Sequence, residues 1–226
     1  EHTETFGALI QPVLDAEKLA ALKAKIGEQA PAGDLLVQNT HRKLSRVLAQ
    51  AEMLSQRYHC SVLNPPYLGG KQMTPETKEF AKNAYPASKT DLFAMFMDQA
   101  FALVVDRGFT AMITMHSWMF LSSFEDLRSQ LVRERSICTM AHFGARAFDS
   151  IGGEVVQTTA FVCCSSHSAE HRGVYLRLTD GANEREKRES LISIVAGSDP
   201  SRIYQISEAE LQEIPGAPIA YWVPAS

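Results

Sequence analysis

Two consecutive prolines, Pro65 and Pro66, constrain this chain more than any other feature. They follow the β-rich run Tyr58 to Leu63, and because proline has no amide hydrogen to donate, a ladder cannot continue through them. A strand therefore ends at Asn64 and delivers the chain into the rigid turn Asn64-Pro65-Pro66-Tyr67. Downstream, Ser88 and Asp91 form a capping box for a helix running to about Asp106, with Gly108 ending it. Phe109 to Met115 is apolar throughout, as expected of a strand covered on both faces. A second box, Ser122 with Glu125, starts a helix with Phe124, Leu127 and Leu131 inward and Arg128, Arg133 and Arg135 outward. Strands over Ile137 to Phe143, Gln157 to Cys164 and Val174 to Leu178 follow. This order predicts an α/β fold with a mostly parallel sheet.

The flanking segments read differently. Thr5 to Ile10 has the pattern of a short strand. Asp15 caps a helix with Leu19, Leu22 and Ile26 on one face and Gly27 at its end, and a loop with Pro31 and Gly33 follows. Thr40 to Gln56 is amphipathic, with Leu44, Val47, Leu48, Ala51 and Leu54 at helical spacing. Gly69 to Thr90, carrying Lys71, Lys78, Lys82 and Lys89, reads as a mobile, locally basic loop with at most one helical turn. Glu184 to Glu189 is a charge run suited to a solvated surface, and Ser207 to Gln212 to a short helix. These readings divide the chain into a helical segment (1–57), a catalytic-motif half-domain (58–180) and a linker (181–226).

Composition narrows the function classes. The 226 residues are 45% hydrophobic and 21% charged, enough for a substantial core and incompatible with disorder. A formal charge of -4 means that a nucleic-acid partner must be held by local contacts, not by bulk positive charge. No run approaches the roughly 18 apolar residues of a membrane span. Cys60, Cys138, Cys163 and Cys164 read as buried thiols of a reducing compartment, and with no signal peptide ahead of them the predicted location is cytoplasmic. Cys163, Cys164, His167 and His171 lie close in sequence, but adjacent cysteines on a strand face opposite ways, so no metal site is predicted. The first residue is Glu1, which reads as a fragment of something longer.

The turn itself admits two readings. Asn before proline is ordinary in loops, and tyrosine caps a core well. The chemical reading is that the prolines preset the Pro65 carbonyl and the Asn64 side-chain oxygen as two acceptors for one planar amino group. Accepting both N–H hydrogens pulls the nitrogen toward tetrahedral geometry and frees its lone pair to attack an electrophilic methyl group, an effect of preorganised electrostatics. The Tyr67 ring can stack on the heterocycle bearing that amine, offsetting extrusion of a base from a duplex. No strong general base is required, and His116 reads as a packed or rim residue.

With these residues in place the chain resembles the adenine-N6-specific, S-adenosylmethionine-dependent DNA methyltransferases, most closely the large BREX phage-defence enzymes of PglX type. The resemblance runs through Thr5 to Gln11, Asn64-Pro65-Pro66-Tyr67, Asp91-Leu92-Phe93, Ser117 to Phe124, Gly152 to Phe161, and the closing Ile214-Pro215-Gly216 with Ile219 to Trp222. It implies the C-terminal half of a Rossmann-like class I methyltransferase domain with a late antiparallel strand. It also implies a catalytic Asn64, Pro65, Pro66 and Tyr67, with a flipped adenine of DNA held between Tyr67 and Phe148. Phe143 is a neighbouring alternative to Phe148. Asp91, also a helix cap, and Phe93, also a core candidate, would lie beside S-adenosylmethionine.

The sequence departs from the family where the cofactor's main site should be. There is no Gly-rich turn after an early strand and no following acidic residue for the ribose, and Gly69-Gly70 and Gly152-Gly153 come too late to substitute. The resemblance thus predicts a fragment inactive alone, a target-recognition region after Trp222, other subunits of a defence complex as partners, and self-association through an open sheet edge. A protein-glutamine or RNA amino-group methyltransferase and a non-catalytic scaffold remain as alternatives.

Overall fold

A computed structural model describes residues 6–28, 35–149, 156–168 and 170–223. Thr5, Pro31, Gly33 and the segment Gly152 to Val155 lie outside the described residues. The chain forms two compact units, Glu1–Tyr58 and His59–Ser226. Among the described residues no helix is long and apolar enough to cross a membrane.

In the first unit, α1 (Ala16–Glu28) and α2 (Leu35–Ser55) pack together, burying Leu19 and Leu48. Asp15 starts α1 by accepting the Lys18 amide at 2.9 Å, as its position predicted. The run ending at Ile10 is not a strand. Gly7 takes a φ of +51°, a left-handed conformation open to glycine, and Gly7–Leu9 coils into a 3-10 turn.

The second unit is built on a sheet whose strands are β1 (Tyr58–Leu63), β2 (Val104–Met115), β3 (Ser136–Gly144), β4 (Thr158–Cys164), β5 (Arg172–Arg177) and β6 (Ile203–Ser207), in spatial order β1-β2-β4-β3-β5-β6. Between them lie α3 (Pro75–Ala84), α4 (Leu92–Ala102), α5 (Glu125–Glu134), α6 (Glu184–Val195) and α7 (Glu208–Gln212). β4 runs antiparallel to both β2 and β3, β5 is parallel to β3, and β6 is antiparallel to β5. Strands β2, β3 and β5 thus share one direction. The late strand β4 is antiparallel as expected, but by slotting between β2 and β3 it makes most of the registered ladders antiparallel. The reason lies in the connection: among the described residues no crossover helix stands between β3 and β4, and a parallel return needs one.

One face of the sheet carries the core. A row of large side chains crosses five strands in register, Met112 opposite Phe161, Phe161 opposite Met140, Met140 opposite Tyr175 and Tyr175 opposite Tyr204. Phe93, Met97, Leu127, Leu131 and Leu211 from α4, α5 and α7 belong to the same cluster. Gly173 on β5 is a steric requirement, since a Cβ there would meet the Ile137 carbonyl oxygen at 2.3 Å. The opposite face, with Ala111, Ile113, Ala141, Ala160 and Val162, is only half-buried.

Several elements differ from the sequence reading. Residues 75–84, expected in a mobile loop, form α3, because Thr74 accepts the Thr77 amide at 3.2 Å and Pro75 is preset for a first turn. Asp91 alone caps α4, while Ser88 bonds Asp98 at 3.2 Å. The helix stops at Ala102 and Val104 already belongs to β2. Ser122 makes no cap bond and opens a 3-10 turn ahead of α5.

Residues 181–223, expected as part of a linker, pack with the sheet instead. β6 pairs with β5, and Ile219 and Tyr221 are in the core. Lys187, within the presumed solvated charge run, is buried with its Nζ 2.6 Å from the Phe143 carbonyl oxygen and 2.9 Å from that of Leu178. Arg128, expected outward, is also buried and donates to the carbonyls of Trp118, Leu121 and Gly216. Only Cys163 of the four thiols is fully buried, and Cys60 is exposed because β1 lies at the end of the strand order.

Candidate active site

The turn after β1 alternates between the core and open space. Pro65 is buried and Tyr67 half-buried, whereas Asn64 and Pro66 are exposed. Asn64 lines an open cleft of about 460 Å3 with Leu63, Ala111, Ile113 and Ala160. Among the described residues its carboxamide has no hydrogen-bond partner, so both amide groups are available to a ligand.

What stiffens the turn beyond its prolines is the start of α4. The Asp91 Oδ1 accepts from the Leu68 amide at 3.1 Å and from the Phe93 amide at 3.2 Å. Two backbone bonds run alongside, Leu92 N–H to the Leu68 oxygen at 3.0 Å and Gly70 N–H to the Thr90 oxygen at 2.9 Å. One carboxylate thus caps a helix and clamps the exit of the turn. Burial raises the Asp91 pKa above the ordinary carboxylate value, and the amide hydrogen bonds from Leu68, Phe93 and Leu92 oppose that shift.

Tyr67 meets Phe93 edge to face, with ring centroids 6.0 Å apart and planes at 86°. Phe93 is wholly buried and rests in turn on Phe124 at 5.6 Å. It acts on the turn from behind, through the Tyr67 ring, and presents no surface to a ligand. Burial and the nearby Asp91 charge push the Tyr67 phenol above its ordinary value, so it is neutral at physiological pH. Phe148 lies half-exposed on the segment after β3, and among the described residues no ring contact joins it to Tyr67. The structure therefore gathers Asn64, Pro65, Tyr67, Asp91 and Phe93 into one assembly.

One group near the site escaped the sequence reading. His142, on the inward face of β3, bonds His116 beyond β2 and Tyr221 near the C-terminal end of the described residues. The signal was the period-two pattern of β3, which puts His142 on the same face as Met140.

A sheet of this order, with Asn-Pro-Pro-Tyr at the end of β1, defines the class as a Rossmann-like α/β fold. The profile of the Eco57I restriction-modification methylase family matches residues 14–148, and the chain belongs to that family. It is 44% identical over 220 residues to the adenine-specific methyltransferase BrxX of Escherichia coli O9:H4 (strain HS), a match covering 97% of this chain and 18% of that protein. It is 40% identical over 203 residues to the adenine-specific methyltransferase PglX of Lacticaseibacillus casei (strain Zhang), covering 88% of this chain and 17% of that one. The chain thus spans less than a fifth of the length of these curated relatives. Among solved structures, the type IIG restriction endonuclease BpuSI superposes with a TM-score of 0.56 at 15% identity, over 76% of this chain and 22% of that one.

Proposed function

We propose that this chain is the amine-binding portion of an adenine-N6 DNA methyltransferase that uses S-adenosylmethionine and serves phage defence, of BREX or restriction-modification kind. The observation that carries the reading is the uncommitted, exposed Asn64 carboxamide beside an open cleft, on a turn held by its own prolines and by Asp91. Its relatives BrxX and PglX are named adenine-specific methyltransferases, which supports adenine as the base.

The chemistry of this chain is that of the methyl acceptor. The Asn64 side-chain oxygen and the Pro65 carbonyl accept the two N–H groups of the exocyclic amine, and the lone pair released from ring conjugation becomes the nucleophile. Tyr67, neutral and backed by Phe93, supplies a stacking surface for the extruded base, worth about 1–3 kcal/mol. Phe148 is the proposed partner on the other side of the base.

Asp91 commits Oδ1 to two amide hydrogens and Phe93 has no exposed surface, so these two side chains do not by themselves form a pocket for the methyl donor. We assign the S-adenosylmethionine pocket to other parts of a full-length protein.

The test uses a full-length family protein carrying this sequence. Asn64→Ala is expected to lower N6-methyladenine formation in DNA at least about a hundredfold. Unchanged DNA methylation would leave only a scaffold role for the turn. Methylation of a release-factor-like peptide or of RNA in preference to DNA would replace the substrate.

A further inference from the structure

One step along the sheet from the apolar Met112–Phe161–Met140 row, the inward face turns polar. Thr114 stands opposite Thr159, and Thr159 opposite His142, all three buried. His142 is bonded at both ring nitrogens, Nε2 to His116 Nδ1 at 2.8 Å and Nδ1 to the Tyr221 hydroxyl at 3.0 Å. Phe120 and Trp222 enclose the pair: Phe120 lies edge-on to His116 at 5.5 Å and 5.6 Å from Trp222, which stacks on His142 at 6.2 Å.

Counting protons along this chain gives its polarity. Burial holds both histidines below the ordinary value, so each carries a single ring proton at neutral pH. Tyr221 is 3% exposed, and among the described residues its hydroxyl has one acceptor, His142 Nδ1. A buried hydroxyl that donates to nothing is costly, so Tyr221 donates to His142. His142 then keeps its proton on Nε2 and donates to His116 Nδ1. The proton of His116 is thereby forced onto Nε2, where it has no partner among the described residues.

That free N–H belongs to a half-buried ring lining an open cleft of about 260 Å3 with Met115, Phe120, Leu121 and the exposed Gln157. This cleft and that of Asn64 are linked along β2. Ile113 shares the Asn64 cleft, and Met115 stands two residues further along β2, about 7 Å, a distance that one or two nucleotide steps bridge.

We infer that the His116–Phe120 cleft holds the nucleotide flanking the extruded adenine, with a neutral His116 donating its Nε2 hydrogen to a backbone oxygen of that nucleotide and Phe120 packing against its sugar or base. This deepens the DNA methyltransferase reading and rests on it. His142 and Tyr221 touch no substrate; they are positioning residues that set which nitrogen of His116 is the donor.

Two measurements test it. In nitrogen-15 NMR of histidine-labelled chain, His116 should read as protonated at Nε2, and Tyr221→Phe should mix the two tautomers. In a full-length protein, His116→Phe should weaken binding of a target duplex about tenfold, the worth of one hydrogen bond, and His116→Gln, which keeps an amide donor, should recover it to within about threefold. The slope of log affinity against log salt should be the same in both variants, because a neutral donor releases no counterion. Tyr221→Phe should weaken binding by an intermediate factor. An Nδ1-protonated His116, a His116→Phe variant that binds like the parent, or a glutamine variant as weak as the phenylalanine one overturns the inference. If those results come while Asn64→Ala still abolishes methyl transfer, the inference falls and the functional reading stands. If the parent neither binds nor methylates DNA, both fall.

Discussion

Two strand ends bound the site, and they achieve order by different means. After β1, the backbone is stiff by its own chemistry: Pro65 and Pro66 preset their φ angles, and the Asn64 side chain is left uncommitted beside open space. After β2, His116 sits in a short 3-10 stretch (His116–Met119) with no covalent restraint, and its side chain is ordered by a hydrogen-bond chain reaching Tyr221. The first turn offers acceptors that any donor can find. The second offers one donor whose identity depends on residues 26 and 105 positions away. Covalent preorganisation survives loss of tertiary contacts; the hydrogen-bonded kind does not.

The largest expected effect strikes the tertiary side of this contrast. Arg128 joins the segment after β2 to the C-terminal stretch through the Trp118, Leu121 and Gly216 carbonyls. Arg128→Ala leaves these acceptors unpaired and should cost at least about 3 kcal/mol in urea unfolding; a loss below about 1 kcal/mol would mean the second turn is held by something else.

Acidification should act on the same region to a similar degree. His142 is held at about 4, against 6.5 for an ordinary histidine, by burial first and then by the charges of His116, Arg177 and Lys187. Between those pH values the unfolded chain binds a proton that the fold refuses. Stability complete above pH 6.5 is therefore lost as pH falls toward 4, by about 3 kcal/mol in all. His142→Gln should flatten that dependence, measured as urea midpoints at pH 7 and pH 4.5; an unchanged slope would move the titration to another group.

The proline turn should respond more mildly. Pro66 is exposed, and Pro66→Ala returns backbone freedom to the unfolded chain, costing about 0.4–1 kcal/mol. Tyr67→Phe keeps the ring against Phe93 and should hold methyl transfer within about threefold, whereas Tyr67→Ala removes stacking worth about tenfold or more. Equal losses in the two Tyr67 variants would shift the weight from the ring to the hydroxyl.

The smallest effect concerns the edge. β1 ends the strand order with Val62 75% exposed, and sedimentation at high concentration should show weak self-association that Val62→Lys abolishes. A monomer at every concentration would refute pairing through β1.

Much of this was legible in the linear text where the cause is local. The Pro65-Pro66 stop located the end of β1 to the residue, Asp15 marked the start of α1, and the short helix read over Ser207 to Gln212 is α7. The same local logic failed at Arg128 and Lys187. Both carry charge that reads as surface, yet each finds backbone carbonyls from distant segments that satisfy its donors in the interior.

What the sequence by itself determined is the proline turn: missing amide hydrogens and fixed φ angles are properties of the residues, indifferent to where the rest of the chain goes. What only the tertiary structure decided is the placement of β4 between β2 and β3, the clamp of Asp91 on Leu68, and the donor nitrogen of His116. Each depends on groups far apart in sequence meeting in a buried, low-dielectric interior, where an unpaired polar atom is costly and its partner is chosen by packing.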